Sequence, residues 1–157
     1  SRYKNSFEKM KKVFGEIEIA DEKIIHFPLG IVGFPELTDF ALVHDVEKGN
    51  GSIHWLQSAQ EPAFAMPVMD PLLVKPDYNP EVDDELLKPI GELQPEEVLV
   101  MVTVTVPSDL TKMSVNLKGP IIINVVEKKA CQIIIDGEGY AVKFPIYDIL
   151  NAKKAGE

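Results

Sequence analysis

Between Val98 and Val106 every second residue is valine, with Leu99, Met101, Thr103 and Thr105 in between. Successive side chains of an extended strand point to opposite faces, so the five valines share one side of it. β-Branched side chains lose rotamer freedom in a helix and pack well on a pleated surface. The run therefore predicts a central strand, buried over most of its length. Neighbouring segments repeat the theme. Val13, Gly15, Ile17 and Ile19 alternate with Phe14, Glu16 and Glu18, a strand with one wet face. Further short strands are expected at Phe40–Val43, Ile53–Leu56, Phe64–Met66, Ile121–Ile123 and Ile133–Ile135. Turn signals separate them at Gly30, Gly33-Phe34-Pro35, Gly49-Asn50-Gly51, Ser108-Asp109, Gly119-Pro120 and Asp136-Gly137. Pro67 cannot donate to a ladder and predicts an edge strand or a bulge.

Two helical pieces interrupt the pattern. Asn79 is placed to cap a helix with Pro80 at its first position and Val82, Leu86 and Ile90 along one stripe. Asp83, Asp84 and Glu85 suit its first turns and Lys88 its end, and Gly91 can terminate it. A C-terminal helical turn starts at Pro145 and carries Ile146, Ile149 and Leu150. The fold class expected is mainly β: one domain, residues 1–157, forming an antiparallel β-barrel or sandwich of about ten short strands. At 157 residues, with 45% hydrophobic and 26% charged residues, the chain is long enough to bury a core without staples.

Charge narrows the function classes. The formal net charge is −9, and residues 13–97 hold 18 acidic against four basic residues. Such a field repels phosphate backbones and favours basic partners, so direct nucleic-acid binding is not expected. An acidic face also serves solubility alone. No apolar stretch reaches membrane-spanning length, and no apolar run follows the basic N-terminal residues, so neither a membrane span nor a signal peptide is expected. The single cysteine, Cys131, fits a reducing compartment and reads as a buried structural thiol.

Residues arranged for chemistry are few. His26, His44 and His54 lie 18 and 10 residues apart and are read as strand residues with ordinary hydrogen bonds, not as a metal site. No nucleophile elbow, dinucleotide fingerprint or phosphate loop is present, and no cofactor is expected. Paired carboxylates among Asp70, Asp77, Asp83, Asp84 and Glu85 leave a small hydrolase on a β-barrel as the alternative function. Met66, Met69, Met101 and Met113 are adaptable side chains suited to a groove for amphipathic helices, although each singly suits a core.

The segment Phe27-Pro28-Leu29-Gly30-Ile31-Val32-Gly33-Phe34 is similar to the Phe-Pro-x-Gly-Ile-x-Gly-Phe signature of the flagellar assembly factor FliW family. The resemblance continues through Trp55-Leu56-Gln57-Ser58, Phe64-Ala65, Val68-Met69-Asp70-Pro71 and Pro76-Asp77-Tyr78. It resumes at Val104-Thr105-Val106-Pro107, runs from Met113 to Asn124, and closes with Gln132-Ile133-Ile134 and Tyr140 to Ile146. Lys143, Gly119 and Ser114 depart mildly from the family's usual arginine, alanine and threonine. The resemblance covers residues 10–146, leaving 1–9 as an extension, native or left from expression, and 147–157 as a C-terminal tail.

What the resemblance implies is a binding protein of the cytoplasm, not an enzyme, monomeric when free. FliW-like proteins bind flagellin before export and, when free of it, bind the translational regulator CsrA and relieve its repression of flagellin mRNA. For CsrA the contact residues expected are Asp70, Asp77, Asp83, Asp84 and Glu85. For flagellin they are the methionines 66, 69, 101 and 113. The signature residues are given a structural role, with Pro28, Gly30 and Gly33 shaping a tight connection and Phe27, Ile31 and Phe34 filling core. Asn116 and Asn124 are expected to satisfy backbone groups around the Gly119-Pro120 turn.

Overall fold

A computed structural model of the chain describes residues 23–44, 52–137 and 139–155. The expected strand at Val13–Ile19 and the Gly49–Gly51 turn lie outside them. Nine strands are present among the described residues: β1 (Ile24–His26), β2 (Asp39–His44), β3 (Ile53–Ser58), β4 (Ala65–Met69), β5 (Val98–Thr105), β6 (Ser114–Val115), β7 (Ile121–Asn124), β8 (Lys129–Gln132) and β9 (Phe144–Pro145). The hydrogen-bonded order β4-β3-β2-β1-β8-β7-β5 returns on itself because β4 also pairs with β5. Closure of this seven-stranded ring decides for a barrel over a sandwich, and it removes the open edges that a flat sheet exposes. Pairing is antiparallel throughout except where His26 of β1 meets Lys129 of β8 in parallel. Strands β6 and β9 form a small leaf that grows from the end of β5 at Val104 and Thr105.

The alternation in β5 sorts its residues between two cores. Leu99 and Met101 face the barrel interior with Ile25, Phe40, Leu56, Val68, Ile121, Ile123 and Ala130. Val102 and Val104 face outward, yet they are buried too, under Met69, Val74, Tyr78, Val115, Leu117 and Ile146. Val100 also borders a further cluster of Ile90, Ile122, Cys131, Ile133 and Ile135. A barrel wall with apolar residues on both faces needs a second layer, and here the 71–93 segment, the β6–β9 leaf and the C-terminal helix supply it. Val106, last of the alternating valines, is exposed.

Pro67 stands opposite Trp55. Ser58 N–H donates to Phe64 O at 3.0 Å, so alternation along the ladder puts Pro67 at a non-hydrogen-bonded position toward β3. Pairing of β4 with β5 begins only at Val68, so the missing N–H removes no ladder bond. Pro67 thus stands where β4 is still open on its β5 side, a local edge as expected, and no bulge is required.

The helix expected from Asn79 instead begins at Asp84. Helix α1 (Asp84–Leu87) is a single turn whose N-cap is Asp83, the carboxylate accepting Glu85 N–H at 3.0 Å. Pro89 lacks the N–H that would continue an α-helix, and the chain tightens into a 3-10 turn over Lys88–Ile90 before Gly91 ends it at φ +85°. Helix α2 (Tyr147–Ala155) is longer than the turn expected, and Pro145 belongs to β9. Ile133–Ile135 is not a strand, because β8 ends at Gln132. Ile133 and Ile135 N–H still donate to Pro120 and Lys118 O, extending the pairing beyond it.

Candidate functional site

The signature loop divides into inner and outer parts. Phe27 and Ile31 are buried, with Phe27 edge-on to Phe40 at 5.2 Å between ring centroids. Gly30 has φ +69° and its backbone lies against Pro35. Gly33 has φ +89°, and reciprocal backbone bonds between Ile31 and Phe34 close the turn. That closure sends Ile31 inward and Phe34 to the rim, where it is 43% exposed and packs on Phe64 at 5.0 Å. Phe34 is thus a surface residue, contrary to the expected core role. Leu29 and Val32 are exposed beside it, and Gln132 Oε1 accepts Val32 N–H at 3.0 Å.

Asn116 fits its expected role, its Oδ1 accepting Lys118 N–H at 3.0 Å, and Pro120 is buried in the turn before β7. Asn124 does not belong to that turn. It sits at the far end of β7, fully buried. Its Nδ2 donates to Ile90 O, Glu92 O and Glu127 Oε2, and its Oδ1 accepts the N–H groups of Val126 and Glu127. One side chain thus ties the β7–β8 turn to the segment behind α1.

An open groove of about 350 Å³ runs between the 70–82 segment and the outer side of β5 and β7. Its walls are Pro71, Leu72, Tyr78, Val82, Val98, Val100 and Ile122, with Asp70 and Asn79 at the polar margin. Tyr78 anchors the segment. Its hydroxyl donates to Leu117 O at 2.6 Å, and its ring meets Tyr140 at 4.8 Å. Burial, and then the neighbouring Tyr140, push the Tyr78 phenol up to about 12.

The five acidic candidates occupy this region in different states. Asp70 lines the groove, and its carboxylate accepts Leu72 N–H at 2.9 Å as the cap of the 71–73 turn. Asp83 is the α1 cap. Glu85 pairs with Lys88 at 2.9 Å and Asp77 with Lys75 at 3.1 Å, all near the surface. The hydrogen bond from the Lys75 ammonium holds the Asp77 carboxyl below its usual range. Asp83, Asp84 and Glu85 come together at the start of α1, whereas Asp77 stands apart beside Lys75. Among the described residues lining the groove, Asp70 is the one carboxylate, so the groove does not carry the facing pair that a glycosidase-type hydrolase needs.

The methionines do not share a surface. Met69 is fully buried and Met101 nearly so, in different cores on opposite sides of the barrel wall. Met66 packs against the barrel core and Met113 against the outer one. Period two puts Met66 and Met69 on opposite faces of β4 and Met101 on the inner face of β5, and burial removes Met69 and Met101 as contact residues. The exposed apolar side chain that sequence reasoning missed is Leu72, 51% exposed on the groove wall. Its only sequence signal was its place inside the turn that Asp70 caps and Pro71 opens. Cys131 is buried as expected, its thiol pushed up to about 11 by that burial, and its Sγ lies 3.9 Å from Leu86 O.

The histidines separate. His26 Nδ1 lies 3.0 Å from Asp39 Oδ1. His44 and His54, expected to be strand residues with ordinary hydrogen bonds, do lie on strands and face each other across β2 and β3 with ring centroids 4.6 Å apart. Among the described residues no group of three metal-ligating side chains converges, and no helix is long and apolar enough to cross a membrane.

The architecture defines a class: a small closed β-barrel with an apolar outer layer and a groove between the two. Within that class, the chain belongs to the FliW protein family, whose model matches residues 8–146. It is 48% identical over 145 residues to the flagellar assembly factor FliW of Lachnospira eligens, covering 91% of this chain and 96% of that protein. To the protein of the same name in Lachnoclostridium phytofermentans it is 45% identical over 138 residues, covering 87% and 88%. A crystal structure of the flagellar assembly factor FliW superposes with a TM-score of 0.76 at 30% identity, over 83% of this chain and 90% of that one.

Proposed function

We propose that this chain binds flagellin in the cytoplasm before export and, when free of it, binds CsrA and relieves CsrA's repression of flagellin mRNA. It acts as a monomeric docking protein, without catalysis and without contacting nucleic acid or membrane. The observation that carries this reading is membership of the FliW family along nearly the whole chain. The groove supports it, since an apolar channel bordered by Asp70 suits one turn after another of an amphipathic helix. Flagellin's terminal segments are of that kind, and in this reading Leu72, Tyr78 and Val82 replace the methionines as their contacts. CsrA presents a basic RNA-binding face, and the acidic residues from Asp70 to Glu85 complement it. Their field is tempered by Lys75 and Lys88, so the start of α1, where Asp83 and Asp84 make no ion pair among the described residues, contributes most.

Titration calorimetry with purified flagellin and purified CsrA at low and moderate ionic strength tests the proposal. Both partners bind, and CsrA loses affinity as salt rises, because exposed charges are screened within about 8–10 Å. Asp83→Lys with Asp84→Lys weakens CsrA binding more than flagellin binding. Absence of heat with either partner overturns the reading, and equal CsrA affinity for the double variant removes α1 from that interface.

A further inference from the structure

We propose that the barrel mouth opposite the signature loop binds a straight-chain carboxylate of medium length, with its head at Lys23 and Lys128 and its tail in the barrel interior. The register gathers the first residues of β1, β5 and β8 and the last of β2 and β7 at one end of the ring. Phe27 and Ile31 of the signature loop fill the core toward the other end. A pocket of about 400 Å³ lies at the first end, with Ile25, Leu42, Leu99 and Ile123 as its apolar floor. All four belong to or pack against the inner core, yet Leu42 and Leu99 stay half-buried, so the interior is not sealed there. Val98, Val100 and Ile122, the neighbours of Leu99 and Ile123 in the chain, line the outer groove instead, as alternation requires. Barrel mouths of this size commonly accept apolar ligands.

Charge selects the head group. Lys23 and Lys128 line the pocket, and among the described residues no carboxylate does. Neither lysine makes an ion pair among those residues. Glu127, next to Lys128, is engaged by Asn124 Nδ2 at 3.1 Å and lies 3.9 Å from Lys129 Nζ. In a chain of net charge −9, two cations beside an apolar pocket reverse the overall field locally, which favours an anion there and nowhere nearby. Lys128 has φ +56°, a left-handed conformation that glycine or asparagine adopts with less strain. Its N–H donates to Asn124 O at 2.8 Å and its carbonyl accepts His26 N–H at 2.9 Å, so the backbone is fixed. Lysine at this position therefore adds a side chain at the mouth, not stability to the turn. Each methylene that leaves water for the floor raises affinity roughly fourfold.

The test is calorimetric titration of decanoate, octanoate and decyltrimethylammonium, each below its micelle concentration, into the full chain. One decanoate binds per chain, roughly tenfold more tightly than octanoate and more tightly than the ammonium, which a merely apolar cleft on an acidic protein would prefer. Lys23→Gln with Lys128→Gln weakens decanoate binding by about tenfold. Absence of decanoate binding, tighter binding of the ammonium, or undiminished affinity in the double variant overturns the proposal. If the variant fails to fold, methyl spectra of the wild-type chain decide. Movement of the Ile25 and Leu42 signals on adding decanoate supports the site, and movement of Leu72 and Val82 in the outer groove without them refutes it.

Discussion

Two glycines of the signature loop illustrate how much one position can carry. At Gly30 a Cβ would meet the Pro35 backbone, with the carbonyl oxygen 2.5 Å away, and φ is +69°. At Gly33 φ is +89°, but a Cβ would meet nothing within 4 Å. Gly30→Ala is therefore expected to combine backbone strain with a clash that only movement of Pro35 relieves, at a cost of about 2–4 kcal/mol. Gly33→Ala carries strain alone, about 1–2 kcal/mol. Urea midpoints of the two variants check the order, and equal midpoints would mean that the Pro35 contact is soft. The spacing of the signature showed that glycines shape this loop. It could not show which of them is hemmed in, because Pro35 comes back on Gly30 only when the turn has closed.

Among the elements, β5 shows both the reach of a sequence pattern and its limit. Its period identified a strand and sorted its faces correctly, since geometry alone sets the alternation. Which face looked into the barrel was not legible, because both were apolar. Val102 lies fully buried in the outer core and Thr103 is half-buried on the opposite face. Val102→Thr, which conserves shape, is expected to cost about 1–3 kcal/mol by burying a hydroxyl. Thr103→Val should stay within about 0.5 kcal/mol of wild type. Chemical denaturation of both checks the assignment, and similar losses would mean that the outer valine face is wet. Helix α1 failed in the other direction. Asn79 and Pro80 made a good local start, but Asp83 offered a better cap three residues before Leu86, and Pro89 stopped the turn soon afterwards.

For the molecule as a whole, the outer layer makes a testable link between packing and pH. Burial raises the Cys131 thiol from 9.0 to about 11 and the Tyr78 phenol from 10.0 to about 12. Both groups are neutral in the fold and lose their protons sooner in the unfolded chain, so above pH 9 the unfolded state binds fewer protons. Stability must then fall as pH rises, starting near the unfolded thiol value and continuing until the folded groups ionise as well. Cys131→Ala should flatten the lower part of this loss, between pH 9 and about 11, whereas below pH 8 stability varies little from this source. Urea titrations from neutral to alkaline pH read the slope directly. An unchanged slope in Cys131→Ala would place the titrating group elsewhere.

Local chemistry in the sequence determined that this chain makes short strands, where most of them lie, where the glycine turns fall and that Cys131 is core. Motif order along the chain also carried the FliW resemblance. Only the tertiary structure decided that the ring closes through β4 and β5, that Met69 and Met101 are interior while Leu72 is not, and that His44 meets His54. These outcomes depend on pairing between residues far apart in the chain. Alternation specifies the face on which a side chain lies, but what covers that face is set by long-range register.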